Sequence, residues 1–346
     1  MLNWLGFGNM MVRVTTLHLC EMKKVLTFSF FFILLLSCNG VEQEYETLYP
    51  VFSKNRTIVR DSYAEKKIEQ VMRPDFISRI GNKILVLSSA ADTIVHVYGL
   101  DMSYIGKWGP KGSGPDEISN FAMFCKGDSE EGDLYLWGFS PVGIRKFRGN
   151  GDTSFVKSGD IGLPYYDTFN YMSLSGDSAF YYFDIDKLLI KKINLNSLKE
   201  EDIELEADSD NRSSAYYTNR GTMDTNADYL VYAYMYKNQI DIYDKIGLQL
   251  KTKLITEGKG ADMERYDLRR YYVNVVVTDK YIYAYKLDEQ KRHLLEIYDL
   301  EGNAVLKNIL EKPVPLYAVD ESNKSIIGFN YDDEDFSFLY RFPELD

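Results

Sequence analysis

Residues 239–247 read Gln-Ile-Asp-Ile-Tyr-Asp-Lys-Ile-Gly, and residues 294–302 read Leu-Leu-Glu-Ile-Tyr-Asp-Leu-Glu-Gly. Each stretch is a mainly apolar run that ends in an aromatic residue and continues into a polar turn. An apolar run followed by turn residues is typical of one strand of a β-hairpin. The same element recurs, with lower identity, at 94–102, 143–151 and 189–196 and, in a shortened form, at 336–343.

The spacing of these copies decides the fold. Their strand-end residues are Tyr98, Phe147, Ile193, Tyr243, Tyr298 and Tyr340, which lie 42 to 55 residues apart. A four-stranded propeller blade has about 40 to 50 residues. Tyrosine favours strands and accounts for 28 of the 346 residues. The sequence therefore predicts an all-β, six-bladed β-propeller with four-stranded blades. A β-sandwich with irregular hairpins is the alternative, but it does not explain six evenly spaced copies.

The strands of the first blade can be placed at residues 75–80, 83–88, 94–98 and 104–108. The last copy holds three of the four strands that a blade needs and stops near Phe342. A fourth strand from the N-terminal side would close the ring and protect open strand edges. Residues 57–63 form a suitable segment. These assignments place the propeller at 57–346.

Upstream of the propeller, residues 22–37 have the pattern of a bacterial signal peptide. Two lysines precede an uncharged apolar run of 12 residues, 25–36, whereas a membrane-spanning helix needs about 20 residues. The run ends in Leu-Leu-Ser-Cys at Cys38, which resembles the lipobox that is cleaved before a lipid-modified cysteine. We therefore expect lipidation of Cys38 and a tether at 38–56, with residues 1–21 as a mis-called extension. An ordinary signal peptide with a chance cysteine is the alternative.

The charge of the chain limits its partners. With 40 basic and 52 acidic residues the net charge is −12, so phosphate backbones repel the protein and nucleic acid is not expected as a partner. Membrane contact must then come from lipid on Cys38, since acyl chains contribute roughly 0.8 kcal/mol per buried methylene. After cleavage Cys38 and Cys125 remain, so lipidation of Cys38 leaves no pair for an internal disulfide.

A glycine-rich motif, Gly112-Ser-Gly114-Pro115-Asp-Glu117-Ile118, follows the first blade. Glycines permit positive φ angles, and proline fixes the exit from a turn. The Glu117 carboxylate can accept hydrogen bonds from backbone N–H groups of its own loop. We interpret the motif as a tight crossover between blades with a structural role. A phosphate-binding loop is excluded, because no Gly-Lys-Ser/Thr sequence opens a helix here.

This motif resembles the Gly-x-Gly-Pro-x-Glu-Phe signature of the TolB-like six-bladed propeller lipoproteins of Bacteroidetes, with Ile118 in the place of the phenylalanine. The resemblance also covers the lipobox and the six-fold repeat. It implies a lipid-anchored protein of the cell envelope, most simply at the outer membrane, on its periplasmic or its surface face. It does not imply a reaction. Structural ties to an outer-membrane complex, as the comparison with TolB suggests, are a further alternative.

Residues suited to metal binding or catalysis are few. His96 and His293 lie in or beside predicted third strands, away from the channel, and are not expected to bind a metal or to act as bases. Acidic clusters occur at 184–186, 208–210 and 332–335. All three fall at turns, and none has the Asp-x-Asp-x-Asp-Gly order of a calcium loop. The sequence therefore predicts no cofactor, with calcium in the central channel as the alternative.

Pairs of tyrosines precede the third, fourth and fifth blades, where a propeller has one rim of its channel. Their rings could stack on sugars or apolar ligands, or they could pack blade against blade. These pairs are Tyr165–Tyr166, Tyr216–Tyr217 and Tyr271–Tyr272. We interpret the protein as a non-catalytic binding or scaffolding module whose partner is a protein, a glycan or a small molecule. The alternative is a calcium-dependent propeller hydrolase or lyase.

Replacing Cys38 with alanine should remove the lipid anchor, because no other residue is predicted to carry an acyl group. We expect the variant either to stay uncut in the inner membrane or to appear as a soluble protein. Metabolic labelling with palmitate, combined with detergent partitioning, compares the variant with the wild type. Label retained by Cys38→Ala would contradict the lipoprotein assignment.

Overall fold

Six sheets form the body of the molecule, and each consists mainly of four antiparallel strands. The computed structural model describes residues 45–59, 62–71, 73–88, 90–112, 117–118, 122–125, 133–139, 142–163, 170–176, 178–205, 212–256, 270–330 and 338–342. These residues fall within one unit, Tyr45–Asp346.

The strands follow one another around the ring in chain order. The N-terminal segment supplies β1 (Glu46–Leu48), β2 (Asn55–Ile58) and β3 (Ala64–Lys67). Blade 1 contains β4 (Phe76–Ile80), β5 (Lys83–Leu87), β6 (Thr93–Gly99) and β7 (Tyr104–Pro110). Blade 2 contains β8 (Ala122–Cys125), β9 (Asp133–Phe139), β10 (Val142–Asn150) and β11 (Ser154–Gly162). Blade 3 contains β12 (Asn170–Ser175), β13 (Ala179–Asp184), β14 (Leu189–Asn194) and β15 (Glu200–Ile203).

Helix α1 (Arg212–Asn219) lies in the crossover from blade 3 to blade 4. Blade 4 contains β16 (Gly221–Thr225), β17 (Tyr229–Tyr234), β18 (Gln239–Asp244) and β19 (Gln249–Ile255). Blade 5 contains β20 (Tyr272–Val277), β21 (Tyr281–Leu287), β22 (His293–Asp299) and β23 (Ala304–Leu310). Blade 6 contains β24 (Leu316–Asp320), β25 (Ser325–Phe329) and β26 (Phe338–Phe342). Within the described residues no helix is long and apolar enough to span a membrane.

The first strand of each blade is innermost. Strands β4, β8, β12, β16, β20 and β24 contact one another in chain order, and β24 also contacts β4, so the blades close into a ring. Each of the six seams between neighbouring blades is filled by its own hydrophobic cluster. The predicted all-β, six-bladed propeller is therefore confirmed.

An N-terminal strand closes the ring, as predicted, but the prediction that residues 57–63 form this strand was wrong. Strand β3 pairs antiparallel with β26, with Ala64 opposite Arg341 and Lys67 opposite Phe338. Residues 57 and 58 instead belong to β2, which lies parallel to β23 as a fifth strand of blade 5. All four side chains of β3 are exposed, so this outermost strand lacks the apolar signal that Ile58 provides. Ile58 is buried in the seam between blades 5 and 6.

The N-terminal segment is held on the propeller before it reaches β3. Strand β1 lies parallel to β19 and adds a fifth strand to blade 4, with Leu48 opposite Leu254. The Phe52 ring packs against Tyr298 of blade 5, with ring centroids 5.3 Å apart. The predicted tether at 38–56 therefore includes residues that are strands of the propeller, and the described unit begins at Tyr45 rather than at residue 57.

The repeated sequence marks a distinct feature at the end of each third strand. All six strand-end residues are 3% exposed or less. At Tyr98, Phe147, Tyr243 and Tyr298 the pairing with the fourth strand shifts register, which is the mark of a β-bulge. The side chains of Asn194, Asp244 and Asp299 follow in the turn and accept hydrogen bonds from backbone N–H groups two residues later. In blades 4 and 5 the aromatic residue and the aspartate that follows it therefore build the hairpin together.

The crossover from blade 1 to blade 2 folds back onto the end of β7. The Ile118 N–H donates to the Pro110 carbonyl at 3.0 Å, and the Gly112 N–H donates to the Ile118 carbonyl at 3.2 Å. The Ile118 side chain is buried in the seam between blades 1 and 2. Gly109 has a φ of +83°, and a Cβ there would lie 2.8 Å from Ile118 Cδ1. The loop therefore carries a core residue into the seam.

Gly112 does not have the positive φ that its sequence context predicts. A Cβ on Gly112 would instead displace the Glu117 carboxylate, the movable end of that side chain, from the contacts it makes. The backbone carbonyl of Glu117 accepts a hydrogen bond from Arg145 Nη1 of blade 2 at 2.9 Å. Gly114 and Pro115 lie outside the described residues. The structural role of the motif stays a prediction.

Three truncations separate the contributions of the N-terminal strands. A chain that begins at Phe52 lacks β1, one that begins at Ser62 also lacks β2, and one that begins at Ile68 lacks all three strands. We expect the last to melt at least about 10 °C below the Ser62 chain, or to aggregate, because blade 6 then has an open edge beside Phe338–Phe342. Thermal melts followed by circular dichroism measure this difference. Equal melting temperatures for these two chains would rule out closure by β3.

A double-mutant cycle tests the crossover. Gly112→Ala should cost on the order of 1 kcal/mol in the wild type and much less in a Glu117→Ala background, because the added methyl group collides with the Glu117 carboxylate. Glu117→Gln should cost less than Glu117→Ala, since an amide oxygen still accepts hydrogen bonds. Chemical denaturation of the four proteins gives the coupling. A coupling below roughly 0.3 kcal/mol would mean that the two residues act independently.

Candidate functional site

The three tyrosine pairs predicted for the channel rim differ in where the structure places them. Tyr271 and Tyr272 are 3% and 0% exposed and belong to the cluster between blades 4 and 5. The Tyr272 hydroxyl lies 3.2 Å from Glu296 Oε2, inside the same seam. These two residues pack blade against blade, which is the alternative given above, and they offer no ring to a ligand. Tyr165 and Tyr166 lie outside the described residues.

Tyr216 and Tyr217 lie on α1 and are half-buried. Their ring centroids are 5.1 Å apart at an interplanar angle of 76°. The Tyr217 ring also meets the edge of Tyr236, which follows β17, at 6.0 Å. Aromatic rings at these separations and angles attract one another edge to face. This pair therefore stays a candidate for ligand contact.

Helix α1 is fixed to two blades at its C-terminal end. Asn219 donates from Nδ2 to the Leu188 carbonyl of blade 3 at 3.2 Å. Its own carbonyl accepts a hydrogen bond from the Tyr232 hydroxyl of blade 4 at 2.6 Å. The helix ends where the first strand of blade 4 begins, so its tyrosines lie at the face of the ring from which the inner strands start.

Arg220 follows the helix directly and lies against two tyrosine rings. Its guanidinium carbon is 5.0 Å from the centroid of Tyr171 and 5.9 Å from that of Tyr216. Its Nε–H donates to the Tyr171 hydroxyl. The ionisable groups around its charge are tyrosines, among them Tyr171, Tyr216 and Tyr236, and no carboxylate of the described residues forms an ion pair with it. Its terminal nitrogens have no acceptor within the described part of the chain.

Tyr171 owes its position to an irregularity in the innermost strand of blade 3. The pairing of β12 with β13 shifts register between Asn170 and Met172, and Tyr171 has a φ of +48°. A left-handed conformation costs a non-glycine residue about 1–2 kcal/mol, and β-bulges often re-aim side chains beside functional sites. Burial raises the pKa of the Tyr171 phenol, against the opposing effect of the Arg220 charge. The phenol is therefore neutral where it accepts the guanidinium hydrogen.

Together Tyr171, Tyr216, Tyr217 and Arg220, with the buried ring of Tyr236 packed against Tyr217, form a surface that we name the tyrosine–arginine rim. It combines aromatic faces with a half-buried cation in a protein of net charge −12. The sequence predicted Tyr216 and Tyr217 but missed the other three residues. Arg220 could have been found as a cation beside a tyrosine pair in an acidic chain. The bulge that turns Tyr171 toward it leaves no signal in the sequence.

The remaining candidates lie elsewhere in the fold. His96 is 3% exposed, and burial, followed by the charge of Lys107, lowers its pKa. His293 accepts or donates a hydrogen bond at 2.7 Å through Nδ1 to the Tyr285 hydroxyl. It borders a groove of about 500 Å³ beside β2, at the outer edge of blade 5.

The acidic clusters give no metal centre within the described part of the chain. No group of three or more His, Cys, Asp or Glu side chains there could hold a metal ion. Asp184 Oδ1 accepts hydrogen bonds from the backbone N–H groups of Asp186 and Lys187, both at 2.9 Å, and so caps its own turn. The clusters at 208–210 and 332–335 lie outside the described residues. A calcium site in the channel stays a prediction without a set of ligands.

Comparison with known proteins supports the architecture alone. No family model matches the chain. No curated protein matches it. The crystal structure of a Bacteroides fragilis protein named as a predicted exported protein superimposes with a TM-score of 0.53 and 14% identity, covering 83% of this chain and 98% of the other. The structures of U3-55K and of the RRP9 WD40 repeats each give a TM-score of 0.49 and 8% identity, covering 82% of this chain and 99% and 98% of theirs. The similarity to the Bacteroides fragilis structure shows a shared fold, and the TolB-like family stays a resemblance.

Proposed function

We propose that the protein is a lipid-anchored, non-catalytic binding module of the bacterial cell envelope that holds its ligand at the tyrosine–arginine rim. The observation that carries the proposal is Arg220, a cation that lies against two tyrosine rings without a carboxylate partner among the described residues. Desolvation of a charge is costly unless hydrogen bonds or a counter-charge offset it. A ligand that supplies acceptors would complete this site.

The position of the rim supports the same function. Tyr171 is the second residue of the innermost strand of blade 3, and Arg220 directly precedes the innermost strand of blade 4, so both residues lie at one mouth of the channel. Ligand sites commonly combine aromatic walls with a few polar groups that fix orientation. The half-buried rings of Tyr171 and Tyr216 are held in place by the bulged strand β12 and by helix α1, whose C-terminal end is hydrogen-bonded to two blades. Such pre-organised rings lower the entropic cost of binding.

The proposed location rests on the N-terminal sequence. The pattern at residues 22–37 and the lipobox ending at Cys38 support export and lipid attachment. The Bacteroides fragilis protein with the same fold is also named as exported. An outer-membrane location, on either face, follows from the resemblance to the TolB-like lipoproteins and is part of this proposal.

Binding can be tested with the mature lipoprotein in detergent and a panel of neutral and acidic oligosaccharides. We expect at least one oligosaccharide to raise the melting temperature of the wild type, because ligand binding stabilises the folded state. Tyr216→Ala with Tyr217→Ala should weaken that ligand about tenfold or more, equivalent to roughly 1.4 kcal/mol. Alanine favours helix, so α1 should persist in this variant.

Tyr49→Ala is the matched control, since Tyr49 is 70% exposed in the N-terminal segment away from the rim. It should bind as the wild type does. Equal binding by the helix variant would contradict the proposed site. Mass spectrometry of the recovered oligosaccharide separates binding from catalysis. Shortened products that appear with calcium and disappear with a chelator would favour the hydrolase or lyase alternative.

A further inference from the structure

We propose that the tyrosine–arginine rim recognises a carboxylate-bearing sugar, that is, a uronic acid residue of an oligosaccharide. This inference rests on the proposed function and names the ligand class of the same site. It follows from the number of charges at the rim, the geometry of the Arg220 guanidinium and the tyrosine rings that contact it.

Arg220 has the geometry to receive a single carboxylate. Its Nε–H is taken by the Tyr171 hydroxyl, so the two terminal nitrogens remain as an end-on fork. A planar guanidinium fork matches the two oxygens of a carboxylate, and such charge-assisted pairs are roughly twice as strong as neutral hydrogen bonds. The chain has 52 acidic residues, yet none of those described pairs with Arg220. In this proposal the carboxylate that pairs with Arg220 comes from the ligand.

The tyrosines of the rim favour a sugar ring as the part of the ligand that carries the carboxylate. Tyr171 and Tyr216 lie against the guanidinium at 5.0 and 5.9 Å, and Tyr217 extends the aromatic surface along α1. An aromatic face stacks on the C–H face of a pyranose ring, and phenol hydroxyls exchange hydrogen bonds with sugar hydroxyls. A small carboxylate such as acetate would satisfy Arg220 but leave these rings exposed.

Ligands with several charges fit the rim less well. A phosphate group carries up to two charges, whereas the described rim contributes one guanidinium. The net charge of −12 adds a long-range repulsion that grows with the charge of the ligand. A uronic acid carries one carboxylate on an otherwise uncharged sugar ring. This matches the single guanidinium of the rim and the tyrosine rings beside it. The chemistry of the rim therefore favours a uronic acid over a nucleotide or a sugar phosphate.

The test compares charged and uncharged forms of the same sugar on the mature lipoprotein. Trigalacturonic acid and an oligoglucuronate are titrated by calorimetry beside their methyl esters, which keep the ring and remove the charge. We expect at least one free acid to bind at least tenfold more tightly than its ester, and to bind more weakly as salt increases. Arg220→Gln should remove this preference, and Arg220→Lys should restore only part of it, because an ammonium lacks the planar fork.

Arg148→Gln, which changes an arginine with a side chain 69% exposed near the outer hairpin of blade 2, is the control and should leave the preference intact. Circular dichroism melts establish that each variant is folded. Equal affinity for acid and ester, or an acid preference that survives Arg220→Gln, would overturn the carboxylate inference and leave the proposed rim in place. Binding of neutral oligosaccharides alone, lost on changing Tyr216 and Tyr217, would do the same. Absence of binding by every oligosaccharide would overturn both proposals.

Discussion

A closed ring of blades leaves no sheet face exposed, so every seam between neighbouring blades must be filled from both sides. Large side chains that tolerate a polar tip meet this constraint best, and among the described residues eleven of the twelve largest fully buried side chains are tyrosines. Their rings fill the seam, and several of their hydroxyls reach a polar group, as Tyr317 does at the Tyr283 carbonyl, 2.9 Å away. Tyrosine is also the main residue type of the rim, so the residue type that fills the seams recurs at the mouth of the channel.

The seams also contain charges, and these follow the repeat. The residue two positions before each strand end is polar or charged in the first five blades and lies directly opposite a charged residue of the fourth strand. These pairs are His96–Lys107, Arg145–Asp160, Lys191–Asp202, Asp241–Lys253 and Glu296–Lys307. Burial raises the pKa of Asp241, against hydrogen bonds from Gln239 and Tyr234 that lower it, and Glu296 has Lys286 and Lys307 at 3.3 Å. Opposite charges in blades 2 to 5 specify which residues meet across the two strands. In Arg220 the fold holds a cation without such a partner among the described residues.

The parts of the structure that repeat from blade to blade could be predicted from the sequence, whereas the features that depart from the repeat could not. The strands of blade 1 lie where the apolar runs placed them, because alternation and turns are local properties. Strand β3 was missed because an outermost strand with four exposed side chains carries no apolar pattern. Tyr271 and Tyr272 look like rim residues in the sequence, and only the packing of blade 4 against blade 5 shows that they are buried. The rim depends on a one-residue bulge at Tyr171 and on the end of a short helix, neither of which a single sequence reveals.

The order of the N-terminal strands has a mechanical consequence. Strand β1 is attached to blade 4, β2 to blade 5 and β3 to blade 6, so a pull on the N-terminal side of the chain loads these attachments one after another. Pulling along a strand loads its hydrogen bonds in shear, so the three-residue ladder of β1 and then the four-residue ladder of β2 must give way before tension reaches β3. In a protein held at its N-terminal side, β1 and β2 would therefore detach from their blades first. Tension would reach β3, the strand that closes the ring, only after both had detached.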